Sequence, residues 1–299
     1  MKQKRILVIH SWGMGDMIMA TPMLKSLAKQ GYRVDVVTFS ESNCTILKGN
    51  HFIERVFLLH KPWQCLRFWR QYDYLVATAG MNPQKVKQLN YLIGAKKVFA
   101  SKQIKGIHRI DMNLKIIDSL VEVYDKEPYI AIEPTQKIEK YLSSTQKNIG
   151  LAVGSGAKQA FKRWDKYGAL IEKLEGNKLL FIGPDEEELE ALFHNKDVTI
   201  VKEGLLDTIA LISKLDLLVG NDNGLMHIGY SVKVPCVGIF GMTNEKETGG
   251  YGLHYETVSL PLSCRPCFES ASDRLGCSDF QCLYQITTEM VYQKCQQFL

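Results

Sequence analysis

The chain has 299 residues, 45% of them hydrophobic, which is longer than one ordinary domain and enough to fill two cores of roughly 150 residues each. Thirty-seven Lys and Arg oppose 32 Asp and Glu, and the net charge of +5 reads as spread along the chain with no long basic block. That reading excludes a nucleic-acid surface, which needs a concentrated basic stripe. It leaves ordinary solubility as the first meaning of the excess, ahead of attraction to an anionic donor or lipid surface.

In chain order, Lys4 and Arg5 lead into the apolar run Ile6 to Ile9, too short for a signal peptide and suited to a first β-strand. No later apolar run approaches the ~20 residues that span a bilayer. The expectation is a soluble, cytoplasmic protein with at most peripheral contact with the inner membrane. Runs at 5–9, 33–38, 55–58 and 74–77 read as strands, with a helix over 22–29 that Thr21 caps and Pro22 opens. A long helix is expected over 110–123. A polar stretch from Glu133 to Lys147 then marks the boundary between domains 1–143 and 144–299.

The second half repeats the alternation: strands at 148–153, 178–182, 199–201, 217–219 and 236–240, and helices at 166–174, 186–193, 206–214 and 225–232. Asp185 with Glu188 reads as a capping box for the second of these helices. Strands alternating with helices imply parallel sheets, here two doubly wound α/β domains whose ligands bind beyond the carboxyl ends of the strands, in a cleft.

Three strand-to-helix junctions carry chemistry. The first strand ends in His10, Ser11, Trp12, Gly13, Met14, Gly15 and Asp16, a glycine turn closing on a carboxylate. A dinucleotide fingerprint would need glycine at Ile18, so that reading is set aside. Asp16 is left either as a helix cap or as a base. In the second half, Gly154, Ser155 and Gly156 precede Lys162 and Arg163, a turn and cation able to hold phosphate oxygens. Asn221, Asp222, Asn223 and Gly224 then open a helix that carries His227 one turn in. Backbone amides and the helix dipole favour an anion there. The competing reading of His227 is a packed core residue. His108 and Arg109 read as a solvated pair, with an anionic acceptor as the other use.

Taken together, these motifs resemble the heptosyltransferase family, inverting enzymes that use ADP-heptose and similar donors. Its strongest pieces are Gly15 to Pro22, Asn221 to His227, and Pro235 to Thr243. The Gly183 to Glu186 segment and the run Gly249 to Gly252 agree. The resemblance implies a GT-B fold, with an acceptor-binding first domain and a nucleotide-sugar-binding second domain. It implies Asp16 as general base on an acceptor hydroxyl. Ser155, Lys162, Asp222, Asn223, Gly224, His227, Glu187 and Met242 are implied donor contacts, with Glu186 the alternative to Glu187 at the nucleoside. No catalytic metal is expected. The family usually has Asp-Thr-Gly where this chain has Asp222, Asn223 and Gly224, which leaves donor identity open. The acceptor, a hydroxyl of lipopolysaccharide, another surface glycan or a protein, is not readable. A nucleotide-sugar epimerase and a non-catalytic scaffold subunit are the rival readings.

Cys264, Cys267, Cys277 and Cys282 are spaced C-x2-C-x9-C-x4-C in a loop-like segment, a soft tetrahedral ligand set for one structural zinc or iron ion. The module over 264–282 is similar to an iron-binding finger in family members that modify autotransporter proteins.

Overall fold

The computed structural model describes residues 3–184, 186–252, 254–267, 277 and 279–299. The chain divides into two compact units, Met1–Ala131 and Ile132–Leu299. The division falls ahead of the expected break after 143 because the intervening polar segment is tied to the second unit. Tyr141 Oη donates to Glu203 at 2.8 Å, Lys140 pairs with the same carboxylate at 2.9 Å, and Asn177 Nδ2 donates to the Tyr141 carbonyl at 2.7 Å.

In the first unit the strands are β1 (Arg5–His10), β2 (Arg33–Thr38), β3 (Arg55–Leu58), β4 (Tyr74–Ala77) and β5 (Lys97–Phe99), all parallel in the order β3-β2-β1-β4-β5. The helices are α1 (Met14–Ile18), α2 (Thr21–Lys29), α3 (Glu41–Leu47), α4 (Pro83–Ile93) and α5 (Arg109–Ile116), with a 3₁₀ helix at Pro62–Phe68. Central strand β1 is buried on both faces, which is why Ile6 to Ile9 reads as an unbroken apolar run. One face packs Leu7, Ile9, Leu75 and Ala77 against Cys65 and Phe68 of the 3₁₀ helix and Val86 and Ile93 of α4.

The second unit has β6 (Asn148–Ala152), β7 (Asn177–Phe181), β8 (Thr199–Val201), β9 (Leu217–Asn221), β10 (Cys236–Ile239) and β11 (Tyr255–Val258), parallel in the order β11-β10-β9-β6-β7-β8. Its helices are α6 (Tyr167–Lys173), α7 (Glu190–Phe193), α8 (Leu205–Ile212), α9 (Gly224–Ser231), α10 (Glu245–Thr248), α11 (Gln281–Tyr284) and α12 (Thr288–Cys295). No helix among the described residues is long and apolar enough to cross a membrane.

Several local expectations are corrected. Helix α5 ends at Ile116, short of the expected 123. From there Ile117 and Leu120 turn back on Leu114 and Ile117, and Asp118, Ser119, Val121 and Val123 do not favour continuing the helix. Thr21 is no cap: its hydroxyl donates to the Ile18 carbonyl at 2.7 Å, and Ala20 holds the cap position. The helix expected over 186–193 is a 3₁₀ turn, Glu187–Leu189, followed by α7. The capping box involves Asp185, outside the described residues, and Glu188 instead pairs with Arg163 at 2.7 Å.

Both sheets reverse direction once. In the first, the chain moves from β1 outward through β2 and β3, then returns to the other side of β1 with β4. In the second, β6, β7 and β8 go one way and β9, β10 and β11 the other. Ligands of such sheets bind at these reversals, beyond the strand carboxyl ends. The relevant turns are those after β1 and β4, and those after β6 and β9.

Candidate active site

In the first unit the turn after β1 runs directly into α1, which places Asp16 inside the helix. Gly13 is the N-cap residue and no side chain caps this helix, so Asp16 is not there as a cap. Its side chain keeps 29% of its exposure, and Arg109 Nε, from the start of α5, lies 3.2 Å from Oδ1. The Arg109 guanidinium also reaches the Ala79 carbonyl at 3.4 Å. Gly80, just past β4, makes this possible: at φ +87° it turns the chain, and a Cβ there would lie 2.7 Å from Arg109 Nη1. Arg109 is therefore an ion partner of the candidate base, correcting the solvated-pair reading. His108 caps α5, accepting from the Ile110 amide at 3.2 Å.

Beneath the turn lies the fully buried His10, a residue that sequence reasoning left without a role. Nδ1 lies 2.9 Å from Thr78 Oγ1 and Nε2 3.3 Å from the Gly13 carbonyl. Burial pushes the imidazole pKa below its ordinary value, with Asp16 pulling the other way. A neutral ring thus braces the turn that presents Asp16.

In the second unit, Lys162 Nζ lies 2.9 Å from Asp222 Oδ2, and His227 Nε2 lies 4.0 Å from Oδ1. His227 Nδ1 is 2.6 Å from the Tyr230 hydroxyl. His227 is buried as the packed-core reading expects, but within a polar chain running from Lys162 through Asp222 to Tyr230. Burial raises the Asp222 pKa, but the charges of Lys162 and His227 and hydrogen bonds from Lys162 and Thr243 outweigh it and hold the carboxyl below its ordinary value.

Asn223 is the N-cap residue of α9. Its side-chain Oδ1 accepts from the Met226 amide at 3.1 Å while its Nδ2 donates to the backbone carbonyls of Ala152 and Gly154 at 3.0 and 2.7 Å. A threonine there could cap, but its single hydroxyl proton could not serve both of these carbonyls as well. The Asn223 departure from the usual family motif is thus a stitch between the turns after β9 and β6. Asn221 adds a second, donating to the Val153 carbonyl at 2.6 Å.

The Gly154 to Gly156 turn is filled from within the chain. Glu186 Oε1 accepts from the amides of Ser155 and Gly156 at 2.6 and 2.7 Å, and Arg163 pairs with it at 3.3 Å. The absence of a Cβ at Gly154 leaves room for the Glu186 carboxylate to seat on these amides. Of the two glutamates offered at this place, Glu186 is the one held at the turn, and Glu187 is exposed on the following 3₁₀ turn. The Met242 side chain is buried, and its carbonyl accepts from the Cys267 amide at 3.1 Å.

Residues 80–277 match the family model for glycosyltransferase family 9 (heptosyltransferase). The chain belongs to that family. It is a glycosyltransferase, which sets aside the epimerase and scaffold readings. Lipooligosaccharide heptosyltransferase 2 of Campylobacter jejuni is 22% identical over 285 residues, spanning 87% of this chain and 89% of the relative. The structure of ADP-heptose lipopolysaccharide heptosyltransferase II of Escherichia coli aligns with a TM-score of 0.72 at 17% identity, covering 99% of this chain and 98% of that one. The iron-containing dodecameric glycosyltransferase TibC of enterotoxigenic E. coli aligns with a TM-score of 0.66 at 13% identity, covering 99% of this chain and 78% of its own. These likenesses establish the GT-B-type fold of paired parallel sheets.

Proposed function

We propose that this family 9 enzyme transfers heptose from ADP-heptose, with inversion, to a hydroxyl of lipopolysaccharide or another surface glycan or protein. The first unit handles the acceptor and the second the donor. The observation that carries the reading is the pair of polar turns at the two sheet reversals: one offers a partly exposed carboxylate, the other a cation at a helix N-terminus. Asp16 takes the acceptor proton as the hydroxyl oxygen bonds to the anomeric carbon and the sugar–phosphate bond breaks. The departing diphosphate gains negative charge. Lys162, the first-turn amides of α9 at Asn223 and Gly224, and His227 receive it without a metal. Asp222 holds Lys162 in place, and Ser155, Glu186 or Glu187, and Met242 bound the nucleoside and sugar. A mass-spectrometric screen of ADP-, GDP- and UDP-sugars tests the reading. ADP-heptose should bind and turn over, and preference for a UDP- or GDP-sugar would overturn the donor assignment.

Cys264, Cys267, Cys277 and Cys282 are proposed to hold one structural zinc or iron ion, a reading supported by the iron of TibC and by the chemistry of the four thiols. Two of them converge on one turn: the Cys267 amide bonds the Met242 carbonyl, and Cys282 Sγ would lie 3.6 Å from a Cβ at Gly241. Burial first, then the charge of Cys267, pushes the Cys282 thiol up to about 11, against the opposing pull of Arg265. Among the described residues no three His, Cys, Asp or Glu side chains already stand close enough to hold a metal, so binding would draw the thiols together. Arg265, within the first pair, donates to the Leu260 and Thr243 carbonyls at 2.7 and 3.1 Å and pairs with Glu245 at 2.9 Å. The module therefore braces the loop whose Thr243 bonds Asp222. Purified reduced protein should contain about one zinc or iron per chain. Metal-free protein that stays metal-free after refolding with either ion would end the proposal.

A further inference from the structure

The positive charge is concentrated, against the even spread expected from the totals. Between Glu54 and Asp111 the chain carries eleven Lys and Arg and a single acid, Asp73, so the remainder is net acidic. Three of these cations serve carboxylates within the unit: Arg55 on Asp35, Lys96 on Asp73 and Arg109 on Asp16. Lys61, Arg67, Arg70, Lys85 and Lys87 are exposed.

The 3₁₀ helix Pro62–Phe68 sorts this segment into rows, because at three residues per turn side chains i and i+3 stack. Cys65 and Phe68 form the buried row. Trp63 and Leu66 form a second row, 64% and 57% exposed, and Trp69 follows at the same spacing as the C-cap residue, 47% exposed. Lys61, Gln64, Arg67 and Arg70 make up the third. The Arg67 guanidinium lies 5.3 Å from the Phe57 ring and 5.5 Å from the Phe68 ring, and that of Arg70 5.3 Å from the Trp69 ring, which keeps the cations beside the apolar row. Trp69 packs against Gly94, where α4 ends, as a Cβ at Gly94 would lie 3.3 Å from its ring. One turn back on α4 is Tyr91, 80% exposed, and one turn before that Lys87.

Indole and phenol rings with basic neighbours suit the headgroup level of a membrane, where a ring meets acyl chains on one side and water on the other. Anionic lipid supplies the charge the patch lacks. A second copy of the same patch would not, since a two-fold contact sets like charges against each other. We propose that this face, built from Trp63, Leu66, Trp69, Arg67, Arg70 and the end of α4, docks the protein peripherally on an anionic phospholipid bilayer. Apolar insertion and basic attraction act together there, as stable peripheral binding requires. The proposal rests on no donor or acceptor assignment, because vesicle binding is scored with neither present.

The test uses the full chain with vesicles of phosphatidylcholine alone or mixed equally with phosphatidylglycerol. The protein should sediment with the mixed vesicles only, be released by high salt, and show tryptophan quenching by brominated acyl chains. Trp63→Gln with Leu66→Gln should abolish the quenching. Arg67→Gln with Arg70→Gln should weaken binding about thirtyfold. Circular dichroism melting confirms that each variant is folded, and the Trp63 and Leu66 pair, exposed in the fold, keeps the test decisive if the arginine pair destabilises it. Unchanged binding by both folded double variants would overturn the proposal. So would failure of the parent to bind the mixed vesicles, or self-association of the parent that the Trp63 and Leu66 changes abolish.

Discussion

The turns after β1 and β9 each hold an aspartate at a sheet reversal, yet they treat it in opposite ways. Asp16 keeps 29% exposure and one ion partner, while Asp222 keeps 9% and is enclosed by Lys162, His227 and Thr243. A carboxylate that must take a proton from a substrate needs an open lone pair. One already committed to a buried lysine serves best as an anchor for that cation. Position in the fold brings a carboxylate to a ligand, and its partners decide what it can do there.

The comparison breaks most sharply at Asp16. Asp16→Asn keeps the shape and removes the proposed base, so turnover should fall about 10²–10⁴-fold while nucleotide affinity, assigned in that proposal to the other unit, stays nearly constant. Single-turnover assays with calorimetry read both quantities. Near-normal turnover would show that the open carboxylate is not the base.

Asp222→Asn should act on the fold first. It strands the Lys162 cation in a mostly buried place, at a cost of about 3–5 kcal/mol in denaturant unfolding. The carboxyl is held below its ordinary value in the fold. Its contribution is therefore present above about pH 3.9, the unfolded value, and is lost as pH falls through the lower folded value. The gap between variant and parent should close in that acidic range, and a gap persisting below it would mean the loss is not electrostatic.

The strands that build these turns are legible in sequence because parallel strands buried on both faces write themselves as short apolar runs. The glycine and asparagine clusters at their ends are legible for a related reason, as the chain must turn there and expose amides. Strand β5 and helix α4 escaped because Lys97–Phe99 is too short to show a pattern and α4 is mostly polar on its outer side, although Asn82 and Pro83, a cap and first-turn proline, were its available signal. Arg109 at Asp16 and Glu186 at the Ser155 turn could not be found locally, since each crosses from one strand-end loop to another. The concentration of cations between Glu54 and Asp111 was open to counting, and whole-chain totals concealed it.

The smallest expected effect concerns what lies beneath the open turn. His10 is fully buried, and burial holds its pKa below the ordinary 6.5. As pH falls through about 6.5 the unfolded chain binds a proton that the folded chain refuses, so stability falls with pH until the lower folded value is reached. His10→Asn removes this proton linkage while sacrificing hydrogen bonds to Thr78 and Gly13 worth about 1–2 kcal/mol at neutral pH. Urea unfolding should therefore find the variant less stable than the parent at pH 7.5, with the gap narrowed by about 1 kcal/mol at pH 5.5. A gap of constant size would mean that His10 accepts its proton inside the fold, with Asp16 as the nearby charge that permits it. The brace beneath the Asp16 turn would then be an imidazolium rather than a neutral ring, and the ion pair between Asp16 and Arg109 would gain a third member in acid.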